Sequence, residues 1–230
     1  MHAPDGFIDV PVSIAAGGVA VAGLAIALRG ARRELDDRTA PLAGLVAVYI
    51  FAVQMLNFPV ASGTSGHLLG GTLAAVLVGP YTGVLCVSVV LFVQALVFAD
   101  GGLTALGVNI STMALATVVT GYLISVLLLK VLPARRSSLP VAAGVAAGLS
   151  VMAAALVFVA WFAIGGTTSV PIGQVAAAMV GVHALIGVGE GLITAVTVAA
   201  IVSARPDLVY AARHLRTART STEPAVPAEV

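Results

Sequence analysis

The chain has 230 residues, of which 60% are hydrophobic and 9% are charged, and its formal net charge at pH 7 is +1. Ordinary globular domains have roughly 45–50% apolar and about 25% charged residues, so this chain has too few charges to cover the surface of a soluble protein. The composition therefore excludes a soluble enzyme domain, a nucleic-acid-binding protein, a disordered chain and, with one cysteine (Cys86), a disulfide scaffold. It predicts a helical membrane protein with several crossings, each of about 20 apolar residues.

Apolar runs separated by Pro, Gly and charged residues predict seven spans, at residues 12–28, 41–57, 67–78, 81–99, 106–132, 140–164 and 172–203. The third run, at about 12 residues, is short for a crossing unless the preceding stretch 61–66 also lies in the membrane. Non-helical backbone is tolerated at that depth where it lines a cavity. The expected fold class is all-α, a polytopic transmembrane bundle of about seven spans over residues 1–203, followed by a flexible cytoplasmic tail over residues 204–230.

The positive charges fall on one side of this seven-span topology. All 11 Lys and Arg residues lie in the segments 29–38, 130–139 and 204–230, and none lies in 1–11, 58–66, 100–105 or 165–171. The positive-inside rule then places the N-terminus outside the cell and the tail in the cytoplasm. The opening residues carry Asp5 where a signal peptide would be cationic, so the first span is predicted to remain uncleaved.

The first histidine, His2, follows the initiator methionine. A free amine on Met1, the backbone amide nitrogen of His2 and its imidazole can close two fused chelate rings around one ion. These donors form three corners of a four-nitrogen plane, a geometry that suits Ni(II) or Cu(II). Because the amine and the amide must lose protons, such binding should release protons and weaken in acid. The plain alternative is that a histidine at position 2 is incidental.

A fourth nitrogen has to come from a histidine on the same side of the membrane, and His67 meets that condition at the start of the third run. The first eleven residues, fully extended, reach up to about 36 Å, which is enough to cross the bundle. Glycines around His67 would let the backbone approach an ion closely. The alternative is a histidine that caps a helix or faces water. His214 lies in the basic tail and is predicted to be solvated.

Other polar residues in the apolar runs leave alternatives open. His183 and Glu190 are seven residues apart and share one helix face. They could form a proton relay, a metal relay or an internal structural hydrogen bond, since acidic residues deep in a span mark either pathways or buried partners. Asp100 and Asn109 could orient a metal ligand from outside the coordination shell. For Asp100, a role in a turn or a helix cap is equally open.

Four blocks of sequence carry a family resemblance. The blocks are MHAPDGF at 1–7, QMLNFPV at 54–60 leading into GTSGHLLGG at 63–71, QAL at 94–96 followed by DGGLTALG at 100–107 with Asn109, and HALIGVGE at 183–190 followed by LIT at 192–194. Over about residues 1–203 the chain thus resembles the CbiM/NikM family, the substrate-binding membrane components of energy-coupling-factor (ECF) transporters for cobalt or nickel.

The resemblance implies that Met1, His2 and His67 bind Co²⁺ or Ni²⁺ and that the bundle lies in a bacterial or archaeal cytoplasmic membrane. It also implies a transmembrane coupling protein (CbiQ/NikQ-like), cytoplasmic ATPases (CbiO/NikO-like) and, in some systems, a small membrane subunit (CbiN/NikN-like). Uptake of this kind can serve cobalamin biosynthesis. The component itself is expected not to be an enzyme, and the sequence contains no phosphate-binding loop of the Gly-x-x-x-x-Gly-Lys-Ser/Thr type. No cofactor is expected, because the ion is the transported substrate.

Three other classes remain as alternatives. A stand-alone secondary transporter would use His183 and Glu190 as a relay, and a scaffold subunit would bind no metal. An intramembrane metalloenzyme would need an open coordination position beside a general base. The sequence does not separate cobalt from nickel, because both accept imidazole nitrogen; a planar site favours nickel, while many relatives serve cobalamin synthesis.

Overall fold

The computed structural model describes residues 1–37, 39–59, 65–133 and 135–212, which are mostly helical. A pair of two-residue strands, β1 (Phe58–Pro59) and β2 (Ser65–Gly66), pairs antiparallel beside the bundle, and a 3-10 turn covers Pro206–Leu208. The helices are α1 (Val10–Ala31), α2 (Thr39–Gln54), α3 (Gly71–Val78), α4 (Pro80–Val97), α5 (Leu106–Asn109), a π-helical segment (Ile110–Ala116), α6 (Thr117–Val131), α7 (Ser138–Gly165) and α8 (Ile172–Ala204).

The predicted all-α bundle is confirmed. Helix α5, the π-helical segment and α6 form one continuous span, so the helices group into seven, as the apolar runs indicate. Five of these seven are long and apolar enough to cross a bilayer, and α2 is a shorter apolar helix. The protein is therefore a multi-pass membrane protein. Which end faces the cytoplasm stays a prediction from the charge pattern.

The third span differs most from the prediction. We expected it to begin at His67, but helix α3 begins at Gly71, and residues 67–70 form a non-helical segment ahead of it. Gly70, with φ +76°, is in the left-handed region, which turns the chain into the helix. All eight residues of α3 are buried, because neighbouring helices surround it. The short third run is thus a central half-length helix with an irregular extension.

Both ends of α3 are bound to the C-terminal part of the chain. The carboxylate of Glu190 in α8 accepts hydrogen bonds from the backbone at the start of α3. After α8 the chain returns to the other end, where the Tyr210 and Ala211 N–H groups donate to the Leu77 and Val76 carbonyls at 3.0 and 3.1 Å. These bonds satisfy carbonyls that a helix end leaves without partners. Residues 213–230, including His214, lie outside the described part of the chain.

Glycines let α7 and α8 approach each other closely, which is the internal packing role expected of such residues. A Cβ added to Gly148 or to Gly187 would lie 3.0 or 2.9 Å from the backbone oxygen of the other residue. The same holds one turn further along, for Gly144 and Gly191. Gly181, also in α8, has open space where a side chain would go.

We expect Gly187→Val to lower the free energy of unfolding by about 1–3 kcal/mol, because backbone cannot yield to the added side chain and the two helices must separate. Gly181→Val adds the same side chain to the same helix without a contact, and it should leave stability unchanged. Thermal unfolding of the two variants in detergent tests this. Equal melting temperatures would show that the close approach of α7 and α8 contributes no stability.

Candidate metal site

The first nine residues form an arm that folds back into one face of the bundle. Met1 and Ala3 have no exposed surface, and Phe7 packs between Phe158 and Phe162 of α7, with ring centroids 5.9 and 5.3 Å away. The Asp9 N–H donates to the Gly165 carbonyl at 2.7 Å. The arm is therefore held by both apolar packing and backbone hydrogen bonds.

Asn109 fixes the backbone of the arm beside His2. Its Oδ1 accepts from the Ala3 N–H at 2.8 Å, and its Nδ2 donates to the Ala3 carbonyl at 3.2 Å. The Gly102 N–H donates to the same carbonyl at 2.9 Å. Gly101 has φ +94°, and a Cβ there would lie 3.0 Å from both Asn109 and His2. The loop between α4 and α5 is thus shaped to lie against the arm.

The arm brings His2 against His67 in the protein interior. His2 is 4% exposed and His67 is fully buried, and their rings stack with centroids 4.6 Å apart. The His2 Nδ1 atom lies 3.1 Å from the His67 Nε2 atom. His67 therefore neither caps a helix nor faces water. The prediction that these two histidines lie on the same side of the bundle agrees with this geometry.

In each ring, the nitrogen nearer the other ring is called the inner nitrogen and the remaining one the outer nitrogen. Each outer nitrogen lies beside an oxygen acceptor. His2 Nε2 lies 3.2 Å from Gln94 Oε1, and His67 Nδ1 lies 2.8 Å from the Leu68 carbonyl oxygen. Hydrogens on the outer nitrogens satisfy these acceptors and leave lone pairs on the inner nitrogens, whereas a hydrogen on His2 Nδ1 satisfies Asp100 Oδ1, 3.2 Å away. Histidines that bind metals almost always donate their other ring N–H to an acceptor of this kind. Both rings can thus adopt the tautomer that a metal ligand requires.

The distance between the inner nitrogens also fits a shared ion. Two neighbouring nitrogens in a square plane, each about 2.0–2.1 Å from an ion, lie about 2.8–3.0 Å apart. The observed 3.1 Å is close to that spacing. Within the described residues, no three His, Cys, Asp or Glu side chains group to hold a metal.

Burial makes the Met1 amine a neutral donor. Loss of hydration lowers the pKa of this amine from 8.0 to about 4, against the opposing effect of Asp100. The amine is therefore unprotonated at pH 7. Burial likewise lowers the pKa of the His2 imidazole, so this ring is also neutral at pH 7. The proton that the sequence analysis expects to be released on metal binding should therefore come mainly from the His2 amide.

Asp100 supplies the negative charge nearest the two rings. Its Oδ1 lies 3.2 Å from His2 Nδ1, and its Oδ2 accepts from Asn57 Nδ2 at 3.2 Å. The contact with His2 is the main cause that lowers the pKa of Asp100, so the carboxylate is charged at neutral pH. Its side chain is 20% exposed, which puts it between the buried rings and the surface. The Asp100 backbone N–H also donates to the Gln94 carbonyl at 3.0 Å, so this residue closes the turn at the end of α4, in agreement with the turn alternative.

His183 and Glu190 bind different partners, so the structure does not join them into one His–Glu pair. The His183 Nδ1–H donates to the Met179 carbonyl at 2.8 Å, and no partner for Nε2 is present among the described residues. Both oxygens of Glu190 accept backbone N–H groups of residues 69 and 70. This arrangement matches the structural hydrogen-bond alternative for Glu190 better than a relay.

Sequence reasoning assigned no role to two buried glutamines. Gln94 of α4 is the acceptor for His2, and Gln54 of α2 donates to the Leu69 carbonyl at 2.7 Å. Neither side chain has any exposed surface. Two signals were available: each is an uncharged polar side chain inside an apolar run, where buried polar groups need hydrogen-bond partners, and each begins a block that resembles the CbiM/NikM family.

Comparison with known proteins agrees with this picture. The family model CbiM, "Cobalt uptake substrate-specific transmembrane region", matches residues 2–208. A protein of Haloquadratum walsbyi is 41% identical over 91% of this chain and 94% of its own length. The cobalt transport protein CbiM of Sorangium cellulosum is 35% identical over the same shares, 91% and 94%.

Two further relatives extend the comparison. The fused nickel transport protein NikMN of Rhodobacter capsulatus is 39% identical over 50% of this chain and 33% of its own length. The crystal structure of a transition metal transporter superposes with a TM-score of 0.82, at 26% identity, over 89% of this chain and 93% of that one. The fold and the sequence thus agree, and the chain belongs to the CbiM/NikM family of cobalt and nickel transport components.

Proposed function

We propose that this protein is the ion-binding membrane component of an ATP-driven ECF-type importer and captures Co²⁺ or Ni²⁺ on the outer side of the membrane. One observation carries the proposal: the buried arm holds His2 Nδ1 3.1 Å from His67 Nε2, with the outer nitrogen of each ring beside an oxygen acceptor. Two imidazole nitrogens at this separation can both bind one borderline-soft divalent ion.

The arm supplies the remaining donors. The Met1 amine, the amide nitrogen of His2 and His2 Nδ1 close a five-membered and a six-membered ring on one ion, and His67 Nε2 completes the plane. Asn109 holds the backbone of Ala3, the residue directly after this chelate. Asp100 offsets the positive charge of the ion from the exposed side. The site requires that Met1 carries a free amine in the mature protein, which mass spectrometry of the purified chain checks.

The partners follow from the family. We expect a CbiQ/NikQ-like coupling protein in the membrane and CbiO/NikO-like ATPases in the cytoplasm to provide the energy for release. A CbiN/NikN-like subunit is a further candidate, because the Rhodobacter capsulatus relative is named as a fused NikMN protein. In this assembly the present chain binds and releases the ion, and ATP hydrolysis occurs on the separate subunits.

Blocking the amine should abolish high-affinity binding. N-terminal acetylation, or a Gly-Ser extension before Met1, removes a lone pair and one chelate ring. The Ni²⁺ or Co²⁺ affinity should fall by more than about 100-fold, the upper end of what a change outside the ligand shell costs. Metal analysis and titration calorimetry measure this, and the same protein with a C-terminal tag is the control. An unchanged affinity with a verified block would contradict the chelate.

Substitution of the buried His67 and of His214 in the basic tail should have different effects on the metal affinity. His67→Ala removes the fourth nitrogen and should lower the affinity by a similar factor, with the three donors of the arm retained. His214→Ala changes a tail histidine that has no part in the proposed chelate, so the affinity should stay at the wild-type value. Parallel calorimetric titrations compare the two. Equal losses in both variants would place the ion elsewhere.

Uptake should depend on ATP and on the partner subunits. The protein is reconstituted in vesicles with its coupling protein and ATPases. Radioactive Ni²⁺ or Co²⁺ should accumulate on the side of the membrane where the ATPases lie, and only when ATP is present on that side. The isolated protein should bind the ion without accumulating it. Steady ATP-independent uptake by the protein alone would instead support the stand-alone transporter.

A further inference from the structure

The segment from His67 to Gly70 lies among the helices without regular secondary structure. The Gly70 carbonyl accepts from the Ala74 N–H of α3 at 3.0 Å. The backbone groups before it lie ahead of the helix, and in lipid each group left without a hydrogen bond would cost several kcal/mol. Leu69 is fully buried and Gly70 is half-buried. The position of this segment, and with it the position of His67, therefore depends on side chains from other helices.

Glu190 of α8 provides the first of these contacts. Its Oε2 accepts from the Leu69 N–H at 2.6 Å, and its Oε1 accepts from the Gly70 N–H at 2.8 Å. A carboxylate accepts hydrogen bonds about twice as strongly as a neutral group. It also lies at the start of α3, where the helix dipole favours a negative charge. Each oxygen of the carboxylate is used by one of two successive backbone amides.

Gln54 of α2 provides the second contact, on the other side of the same residue. Its Nε2 donates to the Leu69 carbonyl at 2.7 Å. The backbone N–H and the carbonyl of Leu69 are thus both bonded to side chains, one from α8 and one from α2. These two bonds fix the position and the orientation of the Leu69 backbone within the bundle.

The adjacent peptide transmits this position to the imidazole. The Leu68 carbonyl accepts from His67 Nδ1 at 2.8 Å, which orients the ring so that Nε2 faces His2. We infer that Glu190 and Gln54 are positioning residues that place His67 for metal binding by holding the Leu69 backbone from both sides. This inference rests on the proposed chelate, but it concerns residues that do not themselves touch the ion.

A second buried glutamate provides a matched control. Glu34 is 4% exposed, compared with 2% for Glu190, and its carboxylate also accepts two successive backbone amides, from Tyr81 at 3.3 Å and Thr82 at 2.7 Å. The Glu34 carboxylate lies at the start of α4. The loop that contacts His2 follows the opposite end of α4, on the other side of the bundle. Glu34→Gln therefore makes the same chemical change at a helix start that does not hold His67.

The experiment is Ni²⁺ titration of the full-length protein with a free amine, with wild type, Glu190→Gln and Glu34→Gln compared. A glutamine has one acceptor oxygen, and its NH₂ group would face a backbone N–H. We expect Glu190→Gln to lower the Ni²⁺ affinity by about 10–100-fold, the usual effect of losing an outer-shell partner. Its visible absorption band should shift toward that of His67→Ala. Glu34→Gln should retain the wild-type affinity and spectrum.

A double-mutant cycle separates positioning from general destabilisation. If Glu190 acts through His67, Glu190→Gln should cause no further loss of affinity in the His67→Ala background. An equal loss in both backgrounds, or an unchanged affinity and spectrum in the single variant, would overturn the inference. If Glu190→Gln does not fold, Gln54→Met is used in the same cycle, since it removes only the bond to the Leu69 carbonyl, and the same outcomes apply.

The wild-type titration keeps this inference separate from the proposed function. If wild-type protein with a verified free amine binds no Ni²⁺ or Co²⁺, the chelate itself is wrong and the positioning role falls with it. If wild type binds tightly and Glu190→Gln binds equally well, the chelate stands and only the positioning role is wrong.

Discussion

The hydrogen bonding of irregular backbone inside an apolar bundle is the constraint on which this structure depends. Two segments without regular secondary structure, the arm over residues 1–9 and the stretch over residues 67–70, pack among the helices. Lipid offers no partners for their N–H and carbonyl groups, so protein groups must replace water. Asn109 does so for Ala3, and Glu190 with Gln54 does so for Leu69. The two proposed halves of the metal site are thus each fixed by side chains from the transmembrane helices.

The same constraint explains the half-length of α3. A helix that crossed the whole membrane would place His67 on a regular turn, with its backbone amides bonded within the helix. Because the helix begins only at Gly71, the backbone N–H groups of Leu69 and Gly70 are available to Glu190. At the opposite end, residues 210 and 211 satisfy the last carbonyls. The segment that carries His67 is therefore connected through a fully buried helix to the chain that follows α8.

Burial also sets the charge state of the site. Loss of hydration keeps the Met1 amine and the His2 imidazole neutral, and the carboxylate of Asp100 stays charged close to the surface. A neutral nitrogen set with one adjacent negative charge favours a divalent cation over a proton at neutral pH. Oxygen-preferring ions such as Ca²⁺ and Mg²⁺ find few ligands in such a set. The preference for Co²⁺ or Ni²⁺ that we propose thus follows from the nitrogen donors, and the Asp100 carboxylate offsets the charge of the ion.

The sequence by itself determined the membrane class and the seven apolar segments, because hydropathy is a local property. It predicted the pairing of His2 with His67 from the side of the membrane on which each lies and from the family resemblance, and it left open that His2 is incidental. It did not determine where α3 begins, since that depends on Glu190, 120 residues further along the chain than Gly70. Nor did it assign Gln54 and Gln94, which look like single polar residues in apolar runs. Only the tertiary structure showed that these side chains meet backbone and imidazole groups from distant segments, because a buried hydrogen bond is defined by both of its partners.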